Sequence, residues 1–154
     1  MEETWQTSTN THPHIVLADD DSDDRELFEE AVTVVDPRIK ISMAKDGEEL
    51  MELLKTNSTL DMIFLDLNMP KKNGKECLTE IMESNILKNI PVIIYTTSLN
   101  PDDIEETFNH GAHHFFRKPN SYEELKNILH KLLRDSRPHS QPRVKETFLL
   151  NGNR

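Results

Sequence analysis

The stretch Met62-Ile63-Phe64-Leu65-Asp66-Leu67-Asn68-Met69-Pro70-Lys71-Lys72-Asn73-Gly74 decides the fold. Four apolar residues in succession have strand length, and the lack of a polar alternate implies burial on both faces, as in a strand inside a parallel sheet. The run then stops on a carboxylate and a turn containing proline and glycine. In an open α/β sheet, ligands bind beyond the carboxyl ends of the strands, so Asp66 is delivered to the place where chemistry is done.

Four more segments of strand length flank this one: His14-Ile15-Val16-Leu17-Ala18, Ile39-Lys40-Ile41-Ser42-Met43-Ala44, Val92-Ile93-Ile94-Tyr95 and His113-His114-Phe115-Phe116. Between and after them, apolar residues recur at helical spacing: Leu27, Phe28 and Ala31; Leu50, Leu53 and Leu54; Cys77, Leu78 and Ile81; Ile104 and Phe108; Leu125, Ile128, Leu129 and Leu132. Asn100-Pro101-Asp102-Asp103 supplies a cap, a proline for the first helical position and acids at the positive dipole end. Ser121 to Glu124 reads as a capping box, and Gly111 as a helix stop. Strict alternation of strand and helix predicts βαβ units and a parallel sheet with helices on both faces.

The alternating body spans residues 14–134, with a flexible arm expected over 1–13 and a tail over 135–154. From Asp135 onward, four basic residues face two acidic ones, a net +2, which leaves −12 of the total −10 on the rest of the chain. A basic tail of this kind can fold back on an acidic body. It can equally stay disordered with Phe148-Leu149-Leu150 as an apolar patch for a partner or a second copy.

A net charge of −10 argues against clamping a nucleic-acid backbone, which needs Lys and Arg on phosphates. A lone cysteine, Cys77, forms no internal disulfide and no signal-peptide pattern is visible, so a cytoplasmic setting is expected. No apolar run approaches the roughly 18 residues of a membrane span. Asn57-Ser58-Thr59 matches a glycosylation sequon but reads as a polar loop.

The strand ends carry Asp19-Asp20-Asp21, Asp66, Thr96-Thr97 and Lys118-Pro119. Carboxylates gathered at one sheet edge repel each other unless a hard cation sits among them, and all-oxygen ligation that suits an incoming phosphate favours Mg2+. A carboxylate held ionised beside such an ion can attack phosphorus, with Asp66 best placed as nucleophile. Lys118 and the Thr96 hydroxyl then supply charge and a donor for the phosphoryl oxygens. Asp21, Asp23 and Asp24 read as solvated or capping acids at the first helix. His113 and His114, adjacent on a strand, point to opposite faces, which argues against a shared transition metal.

Four segments together resemble the receiver domain of response regulators, the family of the single-domain chemotaxis regulator: Ile15 to Asp20, Asp66 to Gly74, Pro91 to Thr96 and Phe116 to Pro119. The resemblance runs from about His14 to Leu133, and Asp20 to Leu27 is also similar to small regulators that work with phytochrome-type sensor kinases. It implies a flavodoxin-like (βα)5 fold, a doubly wound parallel five-stranded sheet of order 2-1-3-4-5. It implies Asp66 as phosphoacceptor, Asp20 as a direct Mg2+ ligand, Asp19 as a ligand through water and the Asn68 carbonyl as a further ligand. Thr96 and Lys118 would hold phosphoryl oxygens, with a cis bond before Pro119. Phe115 would be the switch aromatic coupled to Thr96, lacking the hydroxyl that many relatives carry there. Asn68 and Ser98 take positions that tune water access to the acyl phosphate.

The function so implied is a single-domain regulator in a two-component phosphorelay, a switch rather than an enzyme on a separate substrate. Its partners would be a sensor histidine kinase or histidine phosphotransfer protein, and a second copy through the α4-β5-α5 face. Two other readings stand beside it. A magnesium-dependent phosphatase with an aspartyl nucleophile usually carries a second acid two positions on, where this chain has Asn68. A phosphate-independent scaffold has no chemical reason to retain Asp19, Asp20, Asp66, Thr96 and Lys118 together.

Overall fold

The computed structural model describes residues 12–57, 59–134 and 143–150. Strand and helix alternate along the body as β1 (His14–Ala18), α1 (Ser22–Val35), β2 (Lys40–Ala44), α2 (Gly47–Thr56), β3 (Met62–Leu65) and α3 (Gly74–Glu83). They continue as β4 (Val92–Thr96), α4 (Pro101–Asn109), β5 (His114–Arg117) and α5 (Tyr122–Arg134), followed by α6 (Lys145–Phe148) and β6 (Leu149–Leu150). Of the expected arm over residues 1–13, residues 1–11 lie outside the described residues, as do tail residues 135–142 and 151–154. Pro13 is already buried, and its carbonyl accepts the Lys40 N–H at 2.8 Å.

The sheet is wholly parallel, in the order β2-β1-β3-β4-β5-β6. Order and direction through β5 match expectation, but the sheet has six strands rather than five. The cause lies in the tail. An open β5 edge would present unpaired backbone groups. Leu149 and Leu150 pair with Phe115 and Phe116 there, anchored by the burial of Phe148.

Period-two alternation sends successive strand residues to opposite faces. On one face Val16, Ile63, Leu65, Ile94 and Phe115 meet Leu50 and Leu54 of α2 and Leu78 and Ile81 of α3. On the other, Ile15, Leu17, Phe64, Ile93 and Phe116 meet Phe28 and Val32 of α1 and Leu125 and Leu129 of α5. Cys77 packs in the first layer as expected, its thiol pushed up to about 12 by burial.

Helix starts follow the sequence signals. Asn100 caps α4 by accepting the Asp102 N–H, with Pro101 at the first position. Asn73 caps α3 in a reciprocal capping box with Glu76. Ser121 accepts the Glu124 N–H at 3.0 Å at the start of α5. Gly111, with φ 103°, occupies the left-handed region that ends α4 and turns the chain into β5.

Candidate functional site

Two ladder bonds extend past the strands and fix the aspartates. The Asp19 N–H donates to the Ala44 carbonyl and the Asp66 N–H to the Ala18 carbonyl, both at 3.0 Å. Asp19 is wholly buried and Asp66 nearly so. The chain then turns into α1, capped by Asp21, whose side chain accepts the Asp23 and Asp24 N–H groups. Arg25 reaches back from α1 to the Asp19 carbonyl at 2.8 Å.

Lys118 enters from the far side of the sheet edge, its N–H donating to the Thr96 carbonyl at 2.7 Å. Its Nζ stands 2.7 Å from Asp19 Oδ2, 2.8 Å from Asp24 Oδ2 and 3.1 Å from Asp66 Oδ2. The stem passes near the Tyr95 ring, with Nζ 5.4 Å from its centroid. None of the described peptide bonds is cis. The expected cis bond before Pro119 is therefore trans, the form favoured by about 0.5–1 kcal/mol for a prolyl amide, and Lys118 reaches all three carboxylates from it.

Burial pushes the Asp19 carboxyl up to about 6, against the opposing pull of Lys118, and the Asp66 charge adds to the rise. For Lys118, burial lowers the pKa, but the close contacts with the Asp19 and Asp24 carboxylates and the Asp66 charge outweigh it and hold the ammonium well above its ordinary value. The Lys118 approach to Asp19 Oδ2 is not aligned as a hydrogen bond, so that buried oxygen has charge compensation without a directional partner. Asp19, Asp20 and Asp66 each offer one oxygen, all within 4.8 Å of one another. A buried, under-satisfied carboxylate beside two others fits a hard divalent cation.

Thr96 ends β4 fully buried, its hydroxyl accepting the Ser98 N–H at a long 3.5 Å. Asn68 is exposed, and its N–H donates to Asp66 Oδ1 at 3.3 Å. Phe115 is completely buried, with the Phe148 ring 6.2 Å away. Strand ends β1, β3 and β5 thus bring Asp19, Asp20, Asp66 and Lys118 together, with Thr96 tied to Lys118 through the backbone.

Sequence reasoning missed Asp24. From sequence it reads as a solvated or capping acid, yet it is one of three carboxylates on Lys118. Its position in the first turn of α1, directly after the β1 end that carries Asp19 and Asp20, is the signal that it can face the same edge. Asp21 and the exposed Asp23 do behave as cap and surface residues.

A family model described as the response regulator receiver domain matches residues 15–130. The two-component response regulator ORR11 of Oryza sativa subsp. indica is 31% identical over 121 residues, which cover 79% of this chain and 81% of that protein. Response regulator Rcp1 of Synechocystis is 31% identical over 117 residues, covering 72% of this chain and 80% of Rcp1. The phosphorylated cyanobacterial phytochrome response regulator RcpA superposes with a TM-score of 0.74 at 33% identity, over 79% of this chain and 91% of that one. The Mn(2+)-bound form of Rcp1 gives 0.71 at 28% identity, over 78% and 91%.

Proposed function

The chain belongs to the response regulator receiver domain family, and on that footing we propose that it is a phosphorelay switch in which Asp66 accepts a phosphoryl group. The observation that carries this reading is the convergence of Asp19, Asp66 and Lys118 at the ends of three strands, with Nζ within 3.1 Å of both carboxylates. The donor is a phosphohistidine of a sensor kinase or phosphotransfer protein. An Asp66 carboxylate oxygen attacks phosphorus, an O–P bond forms as the donor N–P bond breaks, and the leaving imidazole takes a proton from solvent.

The main-chain bond to Ala18 fixes the Asp66 backbone and the Asn68 N–H donates to one of its carboxylate oxygens, which supports Asp66 as the attacking group. Lys118 supplies fixed positive charge in a largely buried setting, where it acts without reorganisation cost. The Thr96 hydroxyl, satisfied only by a long bond, is available to turn toward the new phosphoryl oxygens. Mg2+ held by Asp19, Asp20, Asp66 and the Asn68 carbonyl would, when bound, offset charge on the transferring group; the manganese-bound form of Rcp1 supports a divalent ion at such a site.

The output is altered contact with other proteins rather than turnover of a substrate. The α4-β5-α5 face is the surface for the next partner or a second copy. A cytoplasmic setting is supported by the lone free Cys77, and no helix of the described residues is long and apolar enough to cross a membrane. Intact-protein mass spectrometry with a small phosphodonor and Mg2+ tests the assignment. One added phosphoryl group on the wild type and none on Asp66→Ala is expected; equal labelling of both, or turnover of a generic phosphatase substrate, contradicts it.

A further inference from the structure

We propose that Arg143–Leu150 forms an intrachain cap over the α4-β5 edge, whose seating is linked through Phe148 and Phe115 to the state of Asp66. The proposal rests on Asp66 being the phosphoacceptor and adds to it a competitor for the output face supplied by the chain itself.

The segment is bound by several kinds of contact at once. Phe148 is 2% exposed, edge-on to Phe108 of α4 at 5.2 Å and tilted against Phe115 of β5 at 6.2 Å. Arg143 donates to the Phe108 and Ala112 carbonyls at 2.8 and 3.0 Å, at the negative end of the α4 dipole, and lies 4.6 Å over the Phe108 ring. Lys145 pairs with Glu105 at 2.7 Å. His114 Nδ1 meets the Thr147 carbonyl at 3.1 Å, and the backbone of β6 completes the edge. Adhesion of an apolar tail would not satisfy a helix terminus, an acid on α4 and a strand edge together.

The cap is also small. It pairs only two residues with β5, and Leu149 is half exposed. A short parallel pairing with one buried ring can be released by a modest change at its base. Phe115 is that base. It also contributes to the wall of a cleft of about 460 Å³ with Ser98, Leu99, Ile104, Pro119 and Leu149.

Thr96 ends the strand beside β5, where Ile94 is the register partner of Phe115. A phosphoryl group on Asp66 that draws Thr96 inward lets Phe115 follow, and Phe148 loses one wall of its site. Linkage makes this reciprocal: if the occupied site loosens the cap, a weakened cap favours occupation of the site by the same factor. For one aromatic pair that factor is about threefold to tenfold.

The test uses the full chain with beryllium fluoride and Mg2+ as a phosphoryl mimic, hydrogen exchange reporting on residues 143–150 and a titration reporting mimic affinity. Expected are protected tail amides that lose protection when the mimic binds, no change in Asp66→Ala, and mimic affinity raised about threefold to tenfold in Phe148→Ala. Arg143→Gln, which removes exposed contacts outside the core, should shift affinity the same way by less. Circular dichroism confirms that both variants fold. Mimic binding that leaves tail protection unchanged overturns the cap, as does wild-type affinity in both variants. Tail protection that vanishes on dilution with a dimer-to-monomer shift overturns it too, because the tail would then sit on a second copy. A wild type that takes neither mimic nor phosphoryl group overturns the Asp66 reading itself, and the cap's link to it falls with it.

Discussion

Gly74→Ala sets two physical effects against each other within one methyl group. Gly74 opens α3 directly against the Asp66 backbone, and a Cβ there would stand 2.2 Å from the Asp66 carbonyl oxygen and 2.7 Å from Leu67 Cα. Real Cβ atoms keep at least 3.0 Å, so about 0.8 Å must be found. Both obstructing atoms are backbone, and no rotamer change relieves them. Alanine gains at most about 1 kcal/mol of helix propensity over glycine, and less at this first helical position. Overpacking of this kind costs about 1–3 kcal/mol, and backbone obstruction puts it at the upper end, so a net loss of about 1–2 kcal/mol in urea unfolding is expected. The larger effect is on chemistry. Relief comes from moving the Asp66 peptide by several tenths of an ångström, and a misplacement approaching 1 Å costs about 100-fold in rate. Intact-mass kinetics with a small phosphodonor and Mg2+ should show labelling slowed about 10- to 100-fold in a variant that remains folded. Wild-type stability and rate would refute the reasoning outright. Lost stability with an unchanged rate would show that Gly74 only packs and does not set the nucleophile.

Lys118→Met leaves Asp19 and Asp66 facing each other without their ammonium; stability in magnesium-free buffer should fall by about 3 kcal/mol and be partly restored by added Mg2+, with labelling slowed about 100-fold or more. Denaturant titrations with and without chelator, alongside intact-mass kinetics, read both effects. Asp24→Asn removes the most exposed of the three Lys118 partners, so labelling should speed up about threefold with little change in unfolding midpoint; an unchanged or slower rate counts against Asp24 as a restraint on Lys118. His113 is held down to about 4 by burial, then by Arg143 and His114, while its Nδ1 accepts the Val92 N–H at 3.3 Å. Its folded pKa lies below the unfolded value of 6.5, so its contribution is present above pH 6.5 and lost as pH falls toward 4. Discounted for partial exposure, that is about 1–2 kcal/mol. His113→Gln should flatten the stability profile over this window, and a slope equal to that of the wild type would reject the assignment.

The body of the fold was legible because its strands are buried on both sides. Ile63, Phe64 and Leu65 leave no polar alternate, and each run stops on a residue that the loop displays. Asn100-Pro101 and Gly111 punctuate α4 by local chemistry alone. β6 was not legible as a strand, because two leucines give no period and their pairing with Phe115 and Phe116 is settled by a contact more than thirty residues away. The site carboxylates were visible for the same reason as the strands. Asp24 was not, since an acid in the first turn of a helix is explained equally well by the dipole it faces. The trans bond before Pro119 differs from what family likeness implied, as the isomer depends on tertiary context rather than on the Lys-Pro dipeptide.

Asp24 also bears on how the site changes state. Lys118 Nζ donates to Asp24 and Asp66 and stands in charge contact with Asp19, so three carboxylates already surround the one ammonium. A phosphoryl group on Asp66, as proposed, would bring more negative charge and further acceptors to the same place, so one existing partner would have to yield. Asp66 cannot leave, since it carries the group. Asp19 cannot leave cheaply, because its side chain is fully buried and its pKa is already raised by desolvation. The Asp24 side chain is 32% exposed and can turn to water without stranding a charge. Burial would therefore set the order of exchange, with Lys118 expected to pass from Asp24 to the phosphoryl oxygens while keeping Asp19. On that proposal, release of Asp24 at the α1 side and withdrawal of Phe115 from Phe148 at the α4 side would be two responses to one added charge, passed on from Lys118 and Thr96 along neighbouring strands.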